Sequence, residues 1–152
     1  MSQIQFKWVP HTLGFNFDAR TSRGRLKTHT VYYFELSVDE NVGYGECAPL
    51  IGLSPDHEKI LDFLKKLPRG FDSRDQIFEL IKTHEVAYPS FAMGMGTALK
   101  DLISSKPYSI YSNDFINGRP IPINGLIWMG DFDFMFELID KKIKEGLDCL
   151  KF

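Results

Sequence analysis

Two cysteines in 152 residues, Cys47 and Cys149, are too few and too far apart for a disulfide framework or a CxxC motif. They read as reduced thiols packed as small apolar groups. No stretch approaches the ~20 consecutive apolar residues of a membrane-spanning helix. Residues 1–10, which include Lys7, contain no apolar run of signal-peptide length. The expectation is a soluble, cytoplasmic protein with no membrane partner. Excess charge of one sign is also missing. With 18 basic side chains against 20 acidic ones, the net charge is −2, no global field favours nucleic acid, and any anion recognition must be local. The four histidines, His11, His29, His57 and His84, have no metal-ligand spacing and read as surface residues. Repeats and low-complexity tracts are absent. What is present is 43% apolar residues in a chain of ordinary domain length, enough to bury a core.

The front third alternates with period two. Ile4, Phe6 and Trp8 are separated by polar partners, and residues 30–38 are rich in β-branched and aromatic side chains. Residues 42–48 follow after the short polar turn Asp39-Glu40-Asn41. Strands joined so tightly pair antiparallel, which predicts a three-stranded meander of residues 3–9, 30–38 and 42–48. Its first connection is expected to be a long basic loop over residues 20–27. At Ser54 the period changes. Ser54 supplies an N-cap, Pro55 the first helical position, and Ile60, Leu61, Phe63 and Leu64 an apolar face, predicting a helix over 55–66. Ser73 caps a second over 73–84, and Pro89-Ser90 opens a third over 90–104. Gly94 and Gly96 each cost that third helix roughly 1 kcal/mol relative to alanine, which points to close packing against a neighbour.

Beyond Lys106, Tyr108 to Tyr111 reads as extended, Asn117-Gly118 as a hairpin turn, and residues 122–128 as a short apolar strand. A helix follows, capped by Asp131 or Asp133 and ended by three lysines and Gly146. Residues 147–152 begin another strand. Strand, helix, strand is the unit of parallel sheets and (β/α) barrels.

Few residues suggest chemistry on their own. Arg20, Arg23, Arg25 and Lys27 could clamp a carboxylate from a mobile loop, or could simply keep a sheet edge solvated. Glu46 reads as a structural carboxylate satisfied by nearby backbone. Gly43 and Gly45 lie within a strand and cannot cradle phosphate as a strand-to-helix loop does. Lys151, judged by its neighbours alone, is a solvated lysine.

Five segments, in order, resemble the enolase superfamily and, within it, the o-succinylbenzoate synthase family. Thr21-Ser22-Arg23-Gly24 resembles the specificity loop between the first two strands. Gly43-Tyr44-Gly45-Glu46-Cys47-Ala48-Pro49-Leu50 resembles the G-x-G-E-x-x-P-L strand, with Gly52-Leu53-Ser54 as the second lid loop. Ala98-Leu99-Lys100-Asp101-Leu102 is similar to the A-L-x-D-L of the last capping helix. Ile121-Pro122-Ile123-Asn124-Gly125-Leu126-Ile127 resembles the first barrel strand, and the segment from Lys144 to Phe152 resembles the helix end and second strand carrying a K-x-K pair. Gly96 departs from the glutamate that many relatives carry before the A-L pair, which bears on local helix packing.

The resemblance implies an α+β fold. A capping (lid) domain over residues 1–118, with the meander plus helices, is followed over 119–152 by the first β-α-β portion of a truncated (β/α) barrel. It further implies that Lys151 is catalytic, as the first lysine of the pair, with the second, the acid/base, beyond Phe152. Thr21, Ser22, Arg23, Gly24, Ile51 and Leu53 are implied to contact substrate. The implied cofactor of the whole enzyme is Mg2+, its ligands absent from this chain, so no metal residue is expected here. The implied activity is that of a carbon–oxygen lyase in menaquinone biosynthesis. It dehydrates 2-succinyl-6-hydroxy-2,4-cyclohexadiene-1-carboxylate, a small dicarboxylate, to 2-succinylbenzoate, and the segment alone is expected to be inactive. A dipeptide epimerase or a muconate-lactonising enzyme would share the scaffold, and a non-catalytic binding module is the alternative of another class.

Overall fold

The computed structural model describes residues 2–21 and 24–152, with the side chains of Asp18 and Thr21 outside the description. The chain divides into two compact units, one of residues 1–13 and 30–112 and the other of residues 14–29 and 113–152.

The sheet has strand order β3-β2-β1-β4, formed by β1 (Ile4–Thr21), β2 (Gly24–Val38), β3 (Asn41–Cys47) and the two-residue β4 (Gly70–Phe71). β2 and β3 pair antiparallel from Tyr32↔Cys47 to Val38↔Asn41, and β4 adds antiparallel to the start of β1 at Ile4↔Phe71. Contacts of Phe6 with Phe34 (5.3 Å), Trp8 with Tyr32 (5.9 Å) and Thr12 with Thr30 (3.0 Å) climb β1 while descending β2, as an antiparallel hairpin requires.

The expected long loop over residues 20–27 is not what forms. β1 runs on to Thr21 and β2 starts at Gly24, so most of that stretch is strand; Ser22 and Arg23 lie outside the described residues. The reason is visible in the sequence: Leu13, Phe15, Phe17 and Ala19 alternate with Gly14, Asn16, Asp18 and Arg20, a period-two pattern extending the first strand well past Val9.

Three helices cover one face of the sheet: α1 (Ile60–Lys66), α2 (Arg74–His84) and α3 (Pro89–Leu102). Ser73 caps α2 by accepting from Gln76 N (3.3 Å), while Gln76 Oε1 accepts from Asp72 N (2.8 Å). α1 begins at Ile60 rather than at Pro55, because residues 55–59 form successive turns around Asp56. Ser54 does not cap it: its Oγ accepts from Leu50 N (2.9 Å) within a turn. Asp56, fully buried, instead accepts from both Ser90 N and Ser90 Oγ (2.9 Å each), supplying α3 with the capping carboxylate its own N-cap residue, Tyr88, does not provide.

The core of this unit joins Phe6, Phe34 and Leu36 of the sheet to Ile60, Leu64, Ile77, Phe91, Met95 and Leu99 of the helices. α3 lies on β3 at backbone distance. A Cβ on Gly45 would sit 2.8 Å from Ala98 N, one on Gly94 would sit 2.9 Å from Cys47 N, and one on Gly43 would strike the backbone of Ala98 and Leu102. Gly96 faces open space, so the close packing expected from the glycines falls on Gly94 alone.

In the second unit, β5 (Gly125–Leu126), α4 (Phe132–Lys144) and β6 (Leu150–Lys151) form a β-α-β unit in which the two strands pair parallel. β5 is shorter than the expected 122–128. Neither Tyr108 to Tyr111 nor the flanks of Asn117-Gly118 are strands. Tyr108 has a positive φ of 59°, and residues 113–119 close into a turn in which Asn113 Oδ1 accepts from Ile116 N (3.0 Å). Among the histidines only His11 is exposed. His29, His57 and His84 are half-buried, and His84 stands edge-on to Phe63 at 4.9 Å. Among the described residues no helix is long and apolar enough to cross a membrane.

Candidate active-site elements

The β-α-β unit fixes where Lys151 sits. Asp131 caps α4 by accepting from Phe134 N (3.0 Å), and Gly146 ends it with φ 85°, so helix length and exit are set by local chemistry. Gly125 pairs with Leu150, and Leu126 with Lys151. A Cβ on Gly125 would lie 2.9 Å from Leu150 Cδ2 and 3.2 Å from Lys142 Cβ, so this face of the strand pair belongs to α4. Strand alternation then puts Leu126 and Lys151 on the opposite face, where both are exposed. In a (β/α) barrel the helices lie outside the strands, which makes that opposite face the interior one. The Lys151 carbonyl accepts from Ile127 N (2.8 Å), tying its backbone to the carboxyl end of β5.

The turn leaving β5 meets the far end of the β1–β2 hairpin within the same unit. Arg20 and Met129 form an antiparallel bridge, and Trp128 packs edge-on against Phe17 at 5.3 Å and Phe15 at 6.4 Å. Phe17, Arg20, Met129, Gly130, Asp131 and Phe134 enclose a cavity of ≈ 190 Å³. Phe15, Phe17 and Trp128 thus form an aromatic cluster of their own in this unit. Of the residues expected to contact substrate, Ser22 and Arg23 lie outside the described residues, as does the Thr21 side chain, and Gly24 opens β2. Ile51 and Leu53 belong to the other compact unit. There they stand 56% and 58% exposed on a turn closed twice, by Leu50 N to Ser54 Oγ and Ser54 N to the Leu50 carbonyl (2.8 Å). Such exposure on a braced turn leaves two apolar side chains available for contact.

No protein-family model matches the chain. It is 32% identical over 181 residues to the o-succinylbenzoate synthase of Desulfotalea psychrophila, an alignment spanning 99% of this chain and 49% of that protein. The crystal structure of o-succinylbenzoate synthase from Thermosynechococcus elongatus BP-1, complexed with Mg in the active site, superposes with TM-score 0.66 at 21% identity, covering 96% of this chain and 41% of that one. The chain has the amino-terminal fold of the enolase superfamily. Another superfamily structure, the dipeptide epimerase of Cytophaga hutchinsonii complexed with Mg and D-Ala-L-Val, superposes with TM-score 0.70 at 17% identity, covering 99% and 43%. The chain spans about half the length of the curated relative it matches.

Three residues in the superfamily-like motifs have roles that sequence reading missed. Asp101 of the A-L-x-D-L segment is buried, and its carboxylate accepts from Tyr44 N (2.9 Å) and Tyr108 N (2.6 Å), joining the edge of β3 to the chain leaving α3. An acidic residue on the apolar face of a helix was the available signal. Glu46 was expected to be satisfied by backbone. Its carboxylate is exposed and has no hydrogen bond or ion pair among the described residues, because β-strand alternation turns it to the solvent face while Gly45 and Cys47 face α3. Cys47 is fully buried, and burial first, then the negative charges of Asp56 and Glu46, push its thiol up to about 12. Cys149, by contrast, is exposed rather than packed as a small apolar group.

Proposed function

We propose that this chain is the amino-terminal part of an o-succinylbenzoate synthase, with residues 1–118 acting as capping domain and 119–152 beginning the barrel. The whole enzyme would dehydrate 2-succinyl-6-hydroxy-2,4-cyclohexadiene-1-carboxylate to 2-succinylbenzoate in menaquinone biosynthesis. The observation that carries this reading is the 32% identity to a protein of that activity along 99% of the chain. Shared fold alone would serve a dipeptide epimerase equally well.

In this reading Lys151 projects from the interior face of β6 toward the substrate, where its ammonium attracts a carboxylate and holds down the pKa of a second lysine two residues on. The hairpin end and the turn at residues 50–54 are the lid elements of this reading, excluding water and selecting the substrate by shape. Among the described residues no three His, Cys, Asp or Glu side chains gather into a metal site. The magnesium of the whole enzyme would be held by carboxylates on later barrel strands, where it would supply a Lewis acid beside a substrate carboxylate.

The test is made on a chain extended through the remaining barrel strands, assayed for dehydration of the cyclohexadiene and, in parallel, for epimerisation of dipeptides. Dehydration should dominate, and Lys151→Ala should lower kcat/KM by at least ~100-fold, the scale of a lost acid/base partner, with unchanged melting temperature. Epimerisation without dehydration would replace the synthase assignment, and full activity in the Lys151 variant would remove its catalytic role. The 152-residue segment alone should neither turn over substrate nor give a specific magnesium isotherm.

A further inference from the structure

The solvent face of β2 and β3 carries a groove apart from the lid turn and from Lys151. Tyr33 stands opposite Glu46 across the two strands, Tyr44 stands opposite Glu35, and Tyr108 stacks on Tyr44 with centroids 5.6 Å apart and planes at 17°. Tyr33, Tyr44, Glu46 and Tyr108 line a space of ≈ 500 Å³. The backbone of Tyr44 and Tyr108 is held from behind. Asp101 accepts from the backbone N–H of both Tyr44 and Tyr108, and Tyr108 is held at the positive φ of 59°, a conformation a tyrosine adopts only when its surroundings impose it. Two carboxylates stand on this face. Glu35 already has a cation, Lys7 at 3.4 Å. Glu46 has neither a cation nor a hydrogen bond among the described residues.

Aromatic faces beside an unpaired carboxylate form an environment for an organic cation. The rings attract it through their quadrupoles, and the carboxylate supplies the counter-charge. A guanidinium suits the groove better than an ammonium, because its plane can lie along a tyrosine ring while its edge offers two parallel N–H donors to Glu46. We propose that this groove receives an arginine side chain presented by a polypeptide segment that packs on the solvent face of β2 and β3. A polypeptide is favoured over a free cation because the groove is open. Tyr33, Tyr44 and Tyr108 remain 42%, 39% and 75% exposed, so a lone small molecule would be covered on one side only, whereas a packed segment supplies the missing cover. β3 is also the edge strand of the sheet.

The probe is the peptide acetyl-Gly-Gly-Arg-Gly-Gly-amide, titrated into the 15N-labelled chain with amide shifts followed by NMR. Shifts should concentrate at Tyr33, Tyr44, Glu46 and Tyr108. The isosteric peptide with neutral citrulline in place of arginine should lose the response, and Glu46→Gln should weaken binding about 5-fold, the scale of one partly exposed charge pair. Tyr108→Leu, whose fold is checked by its unchanged spectrum elsewhere, should weaken it by a similar factor. Equal shifts with the citrulline peptide, or binding indifferent to Glu46→Gln, would overturn the proposal. Argininamide binding as tightly as the peptide would overturn the polypeptide assignment in favour of a free cation. Concentration-dependent broadening at the same residues without peptide would overturn it in favour of a second copy of this chain.

Discussion

Asp101 makes hydrogen bonds that no solvent molecule could replace without opening the domain. Its two carboxylate oxygens satisfy backbone donors 57 and 7 residues away, one on an edge strand and one on a left-handed tyrosine. Asp101→Ala leaves both donors without a partner, and we expect a loss of roughly 2–4 kcal/mol, measured by urea unfolding. Asp101→Asn, which keeps one carbonyl acceptor, should lose less. Cys47 makes a prediction of a different kind. Its thiol is raised from 9.0 to about 12, so below pH 9 it is neutral in both the folded and unfolded chains and contributes no pH dependence. Between these values the unfolded chain releases the proton and the folded chain keeps it, so stability falls as pH rises. Cys47→Ala should lack that component in unfolding curves taken from pH 8 to 10.5. At pH 8 in the native protein, a disulfide-exchange reagent should titrate the exposed Cys149 rapidly and reach Cys47 only after denaturant is added.

At the scale of elements, α3 and β3 approach so closely because glycine removes the side chains that would hold them apart. Gly43 and Gly45 in the strand and Gly94 in the helix all face backbone across the contact. Gly94→Ala would put a methyl 2.9 Å from Cys47 N and should destabilise by about 1–3 kcal/mol through overpacking. Gly96→Ala, two residues along the same helix and facing open space, should stabilise by about 0.5–1 kcal/mol through helix propensity. Opposite signs in thermal unfolding of the two variants are the check. The contrast also limits what periodicity can say. Both glycines look alike in sequence, and only the neighbouring strand distinguishes them.

At the scale of the whole molecule, the two compact units differ in how much they bury. α3 contributes seven buried residues to its unit, while α4 contributes none to its own, with Phe132, Phe136 and Ile143 largely exposed along one side. Hydrogen exchange should reflect this: amides of α3 and β2 should be protected at least ~100-fold more than those of α4, since local opening of a helix with little burial exposes little apolar surface. Equal protection would mean that α4 is held by contacts beyond those described. Most of the elements and their order, though not the two-residue β4 or the turns of residues 108–119, were legible in the sequence, because the signals that set them are local. Alternation along Ile4, Phe6 and Trp8, Ser73 three residues before Gln76, and Asp131 three residues before Phe134 all act within a few positions of themselves. The face of Lys151 follows from the same local rule once β6 pairs with β5. The length of the hairpin was equally written in the alternation from Leu13 to Ala19, although Gly14 and Asn16 disguised it as a loop. Tertiary structure alone decided the rest: Asp56 reaching 34 residues to cap α3, Asp101 binding the edge of β3, Glu46 left without a partner among the described residues beside three tyrosines. Each depends on which distant segments become neighbours, and a hydrogen bond or a backbone contact across such a distance has no period for the sequence to display.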